Sequence, residues 1–178
     1  MFELFKEKAT FMSAEVHLFK SKAEALDFIK DFIIENAANK VSKSVVWCES
    51  QFLEGIDKDA LQKELPQIEF NIDLNSASSA KIGINEADFG IAETGSLVEI
   101  SKTAAKRLCS TLPEIHIAIL PLNKILNNMA ELFGKIDIRD IPYLTIISGP
   151  SRTADIERVL TIGVHGPERV IIAAVENF

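Results

Sequence analysis

Cysteine is scarce in this chain of 178 residues: there are two, Cys48 and Cys109, each alone in an apolar-leaning segment with no CxxC pair and no histidine at ligand spacing. That scarcity removes the ligands for an iron–sulfur cluster, a zinc site or a thioredoxin-like motif, and a chain of this length needs no disulfide framework to hold its core. A reducing cytoplasm is the expected compartment. Long apolar runs are missing as well. The opening MFELFKEKATFM is interrupted by Glu3, Lys6, Glu7 and Lys8, so neither a signal peptide nor a membrane span is expected. Positive charge is also short: 19 Lys and Arg against 26 Asp and Glu leave a net charge of −7. The basic field on which nucleic-acid and anionic-membrane binding rely is therefore lacking. No GxGxxG follows a strand pattern and no Walker loop is present, so the chain shows no seat for NAD, FAD or ATP and no cofactor is evident on it.

What is present is an alternation of two periodicities. AEVHLF alternates like a strand. SKAEALDFIKDFIIENA follows with Ser21 and Glu24 at capping-box spacing and Ala25, Phe28, Ile29, Phe32 and Ile33 on one helical face. SVVWCES then reads as a buried strand, DKDALQKEL as a helix opened by Asp57, and IEFNIDL as another strand. Alternation of this kind argues for a mainly parallel sheet with helices on its faces. KIGINEADFGIAETGSLVEIS is strand-like nearly throughout, with Thr94-Gly95 as a two-residue turn, which sets a hairpin into the α/β frame. Further on, TAAKRLCSTL predicts a helix, IHIAILP a strand ended by Pro121, LNKILNNMAELF a helix to Gly134, YLTIIS a strand, ADIERVL a helix and RVIIAAVEN a last strand. The expected fold is one α/β domain over residues 1–178, with three layers: a mainly parallel sheet flanked by helices, with an inserted β-hairpin.

Three segments together carry a resemblance: ADFGIAETGSLVEI (87–100), LPEIHIAILP (112–121) and SGPSRTADIERVLTIGVHGPERV (148–170). In this order and spacing they resemble the LUD-domain family, and within it the lactate-utilization protein C group. The resemblance implies a fold similar to that of the NagB, ribose-5-phosphate isomerase and CoA-transferase group. It also implies a place beside iron–sulfur or oxidoreductase-type partner proteins in L-lactate oxidation, with the redox cofactors on those partners. It brings no established catalytic residue.

The residues suggest where chemistry would sit. In IISGPSRTADIE, a strand feeding a small polar turn and then a helix presents unpaired N–H groups, a setting that suits an anion. Thr153 is the expected N-cap, Gly149 sets the turn, and Arg152 beside Ser148 and Ser151 would grip a carboxylate or phosphate at the carboxyl end of a parallel strand. An ion pair of Arg152 with Asp155 or Glu157 is the competing account. In AETGS, Thr94, Gly95 and Ser96 either form a plain hairpin turn or join the ligand site. Glu93 there resembles the Glu-x-Gly element with which CoA-transferases attack an acyl thioester, although Thr94 departs from that pattern. His165, between glycines in GVHGP, is read as a helix-end cation or a proton donor near the Arg152 loop. His17 and His116 fall inside strand patterns and are expected to be packed. Three functions follow: an accessory component of lactate oxidation that binds a small carboxylate or phosphate, a CoA-transferase-like or isomerase-like enzyme using Glu93, and a scaffold subunit.

Overall fold

In the computed structural model, which describes residues 1–37, 44–154, 160–162 and 165–178 (backbone alone for 153, 154 and 160–162), runs rich in valine and isoleucine pair side by side. The strands are Glu15–Ser21 (β1), Val45–Trp47 (β2), Ile68–Glu69 (β3), Ile82–Glu86 (β4), Phe89–Ile91 (β5), Ser96–Ile100 (β6), Ile115–Pro121 (β7), Ile125–Leu126 (β8), Leu144–Ile147 (β9), Arg152–Ala154 (β10), Leu160–Ile162 (β11) and Arg169–Asn177 (β12). The helices are Phe2–Phe11 (α1), Lys22–Ala37 (α2), Lys58–Glu64 (α3), Leu74–Ser79 (α4), Ala104–Thr111 (α5) and Met129–Lys135 (α6). Six strands form one sheet in the order β1-β12-β7-β4-β2-β3, every pair parallel. Four others form a second sheet, β8-β5-β6-β9, and β10 pairs with β11 alone.

Strand alternation divides the core. Val45, Trp47, Ile82, Ile84, Ile117, Ile119, Ile171 and Val175 point to the side covered by Ala25, Ile29 and Ile33 of α2. Full burial of an isoleucine such as Ile29 stabilises the fold by about 2 kcal/mol. On the other side Ala118, Leu120, Val170 and Ile172 meet Phe5 and Ala9 of α1 and Leu97 of β6. Further along that side, Val46 and Cys48 meet Ala80 and Cys109. Two polar residues, Asn85 of β4 and His116 of β7, also sit in the sheet, buried to 1% exposure each. Local chemistry fixes the helix starts: Asp57 accepts from Ala60 N at 3.0 Å, and Glu24 N donates to Ser21 Oγ at 3.3 Å while Glu24 reaches back to Lys20 N at 2.9 Å.

The structure corrects several expectations. The turn between β5 and β6 spans Ala92–Gly95 rather than two residues, closed by Gly95 N donating to Ile91 O at 2.8 Å. The hairpin it closes belongs to the second sheet, where β9 pairs antiparallel with β6. LNKILNNMAELF is not one helix: a 3₁₀ turn at Leu122–Lys124, then β8, then α6 capped by Asn128 replace it, because Ile125 and Leu126 gain a strand partner in β5. IEFNIDL is a strand only at β3, since Asp73 turns the chain into α4 with a full capping box. Arg152, Thr153 and Ala154 pair antiparallel with Ile162, Thr161 and Leu160, so the helix expected over ADIERVL does not span its ends and Thr153 is a strand residue rather than an N-cap. Residues 155–159, including Asp155 and Glu157, lie outside the described residues.

Candidate functional site

AETGS and SGPSR, far apart in the chain, meet at one corner of the molecule. Ser96 Oγ lies 2.7 Å from Ser148 Oγ and donates to Thr94 Oγ1 at 2.8 Å, so three hydroxyls form a chain. The last turn of α1 closes this corner. Gly95 and Gly149 both have positive φ (66° and 74°), and a Cβ on either would collide with backbone, Ala9 N within α1 in one case and Met12 O at its C-cap in the other. Arg152 then donates from Nη2 to Met12 O at 2.9 Å and to Ser13 Oγ at 2.7 Å, binding a carbonyl that the helix end leaves unsatisfied. Ser151 N donates to Pro167 O at 2.9 Å and Gly166 packs on the Ser151 side chain, which brings GVHGP alongside with His165 exposed; Gly163 and Val164 lie outside the described residues. Because a strand, β11, precedes GVHGP, His165 does not follow a helix end.

The corner stands at the amino end of the parallel sheet. Ser13 leads into β1, and Pro167 into β12. The expectation that Arg152 follows a parallel strand's carboxyl end is therefore wrong, since β9 lies in the second sheet and runs antiparallel to β6. Glu93 is turned away from the hydroxyl chain. Its Oε1 accepts from Met129 N at 2.8 Å, capping α6.

The carboxyl end of the sheet holds a different site, which sequence reading did not single out. From β2 the chain passes to β3 on one side and then to β4 on the other, so the sheet order reverses between β2 and β4. At such a switch point open α/β sheets leave a crevice for ligands. Here it is a cleft of about 210 Å³ lined by Cys48, Glu49, Ser50, Gln51, Asn85, Glu86, Asp88 and Lys106. Lys106 Nζ pairs with Asp88 Oδ2 at 2.6 Å, and the same oxygen accepts from Ile100 N at 2.6 Å. Glu86 accepts from Phe52 N at 2.9 Å, and burial raises its carboxyl above the usual range. Ser50 Oγ is buried without a partner.

Behind the cleft runs a buried polar chain. Asn85 Nδ2 donates to Glu99 Oε2 at 2.8 Å, Ser101 Oγ donates to Glu99 Oε1 at 2.7 Å, and Asn85 Oδ1 lies 2.9 Å from His116 Nε2. Since Asn85 offers an acceptor there, Nε2 carries the proton and Nδ1 is left bare, and Nδ1 has no partner. Burial lowers the His116 pKa to about 4, so the ring is neutral. A larger hollow, about 500 Å³, lies at the amino ends beside Ser44 and Lys81. It is away from the switch point, and Lys81 there is spent on Asn36 O at 3.0 Å. Among the described residues no group of His, Cys, Asp and Glu is placed to hold a metal, and no helix is long and apolar enough to cross a membrane.

The LUD domain family matches this chain over residues 2–175. The chain belongs to that family. Lactate utilization protein C of Halalkalibacterium halodurans is 29% identical to it over 168 residues, 89% of this chain and 72% of the relative. The Escherichia coli protein YkgG, named as uncharacterized, is 36% identical over 110 residues, 58% of this chain and 48% of its own length. A crystal structure of a DUF162 family protein from Deinococcus radiodurans has the same fold, with a TM-score of 0.68 and 18% identity over 98% of this chain and 95% of that one. Of the residues singled out by sequence, this LUD domain brings Thr94, Gly95, Ser96, Ser148, Gly149, Ser151 and Arg152 to one corner and sets Glu93 apart. That Cys48, Asn85, Glu86, Asp88 and Lys106 share a cleft is not legible in the sequence, because they come from three separate segments and only strand order makes them neighbours.

Proposed function

We propose that this LUD domain is an accessory component of a lactate-utilization system, binding a small carboxylate or phosphate and docking on partner proteins that hold the redox cofactors. The observation that carries the reading is the meeting of two of the segments that carry the resemblance to the lactate-utilization group, through the Ser96 to Ser148 contact at 2.7 Å. Hydroxyls grouped beside a guanidinium supply donors for an anion's oxygens. A ligand there would compete with Met12 O and Ser13 Oγ for Arg152. The family name borne by the Halalkalibacterium relative supports lactate as the process served. Electron removal from a 2-hydroxy acid needs an acceptor, and here the partners supply it.

Calorimetry with L-lactate and with inorganic phosphate, on the full chain and on Ser148→Ala, tests the ligand. Binding should weaken by about tenfold in the variant, the worth of one hydrogen bond to a charged group. Equal affinity in both proteins, or no binding of either anion, overturns the corner as a ligand site. Co-purification from native cells tests the docking: lactate-dependent dye reduction should follow iron-bearing partners and be absent from the isolated chain. Turnover of lactate by the isolated chain would place the redox step here instead.

A further inference from the structure

Both cysteines of the chain meet at the carboxyl end of β2, and one of them opens on the switch-point cleft. Cys48 follows β2, its N–H donating to Ile84 O at 2.9 Å, and its side chain lines the cleft with Lys106 and Asn85. Cys109, on the last turn of α5, is fully buried in the same cluster as Val46 and Cys48, where Cys48 keeps 6% exposure. The Cys109 thiol has two acceptors within its cluster: Val46 O, to which it donates at 3.9 Å, and the Cys48 sulfur. A single S–H serves one of them at a time, and an ionised Cys48 is the stronger acceptor. That bond, and after it the Lys106 charge, hold the Cys48 thiol below its ordinary range, while the same bond and burial push Cys109 up. The two thiols are thus unequal: Cys48 lines the cleft and is the more easily ionised of the pair, whereas Cys109 is enclosed.

We propose that Cys48 is a peroxide-reactive thiol served from the switch-point cleft, with Cys109 as its resolving thiol. The Cys48 sulfur attacks one oxygen of a small hydroperoxide, the O–O bond breaks, and an S–O bond forms. The other oxygen leaves as the alcohol, or as water from hydrogen peroxide, with the proton given up by the Cys48 thiol. Cys109 then attacks the Cys48 sulfenic acid, an S–S bond forms, and the hydroxyl leaves as water with the Cys109 proton. Two thiols lose two electrons and two hydrogens, and the peroxide gains them. Lys106, 2.6 Å from Asp88 at the cleft, is the positioning cation for the departing oxygen. A cavity of about 210 Å³ suits hydrogen peroxide or a short alkyl hydroperoxide and disfavours bulky ones. The resulting disulfide would tie α5, which carries Lys106, to the end of β2, so the cleft would respond to oxidants whatever ligand the opposite corner holds.

The test uses the full chain with stoichiometric hydrogen peroxide, iodoacetamide blocking and peptide mapping without reductant. A Cys48–Cys109 disulfide within one chain, reversed by dithiothreitol, is expected. Cys109→Ser should stop at a Cys48 sulfenic acid that dimedone traps. Cys48→Ser should lower oxidation of Cys109 by about tenfold or more, because the buried, protonated thiol is then alone. Lys106→Met should slow the first step several-fold, and cumene hydroperoxide should react more slowly than hydrogen peroxide. Circular dichroism checks that each variant is folded. Free thiols at Cys48 under peroxide that oxidises glutathione at the same pH, equal oxidation of Cys109 in Cys48→Ser, or disulfides formed only between chains would each overturn the proposal.

Discussion

The corner around α1 and the cleft between β2 and β4 are built from the same kinds of side chain, hydroxyls, carboxylates and a long cation, but they use them differently. In the corner Arg152 is bound to Met12 O and Ser13 Oγ, the hydroxyls of Thr94, Ser96 and Ser148 satisfy one another, and Glu93 caps α6. In the cleft Ser50 Oγ is buried unpaired, and burial works against the charge on Glu86. A small, polar turn in a sequence therefore marks close backbone approach as readily as it marks an open ligand site. A ligand at the corner has to displace bonds the chain already makes, whereas in the cleft a polar group stands unpaired.

The largest effect should come from the corner's glycines. Gly95→Ala forces a Cβ into Ala9 backbone at positive φ, and urea denaturation should show a loss of about 4 kcal/mol or no folded protein at all. A near-neutral result would mean that α1 does not close the corner, and the contrast with the cleft would collapse. Next is acid. His116 has a folded pKa of about 4 against 6.5 unfolded, so the unfolded chain binds the extra proton between those values. The stability His116 provides is complete above pH 6.5 and is lost as pH falls toward 4, by about 3 kcal/mol in all. His116→Gln should remove that slope from the stability profile. An unchanged slope would put the acid sensitivity elsewhere.

Asn85→Ala strips a donor from buried Glu99 and an acceptor from His116, and should cost about 2 kcal/mol by the same denaturation measurement. Loss of about 1 kcal/mol is expected for Arg152→Ala, whose exposed guanidinium ties down the α1 terminus. If Arg152→Ala weakens phosphate binding while leaving the denaturation midpoint alone, the corner is a ligand site first and a clamp second. The smallest effect sharpens the glycine contrast: Gly134 in α6 has open space around its Cβ position, and Gly134→Ala should stabilise the chain by up to about 1 kcal/mol.

Much of the frame was legible in the residues. Apolar runs ending at Pro121 and Asn177, the one-faced α2, and the cap at Asp57 were all readable because strand period, helix period and capping are local. So was a turn at Gly95, which needs positive φ. The LUD family follows from contiguous segments and is likewise a property of the sequence. Pairing decided the rest. Ile125-Leu126 reads as helix but extends because β5 offers it hydrogen bonds, and Arg152–Ala154 lies in a hairpin because β11 returns beside it. Strand order, which no local pattern encodes, placed the switch point between β2 and β4 and drew Cys48, Glu86 and Lys106 into one cleft. Helix α1 supplied partners for Arg152 from the other end of the chain. Periodicity and capping act over a few residues and survive reading along a line, whereas which polar group finds a partner depends on distances that only the folded chain creates.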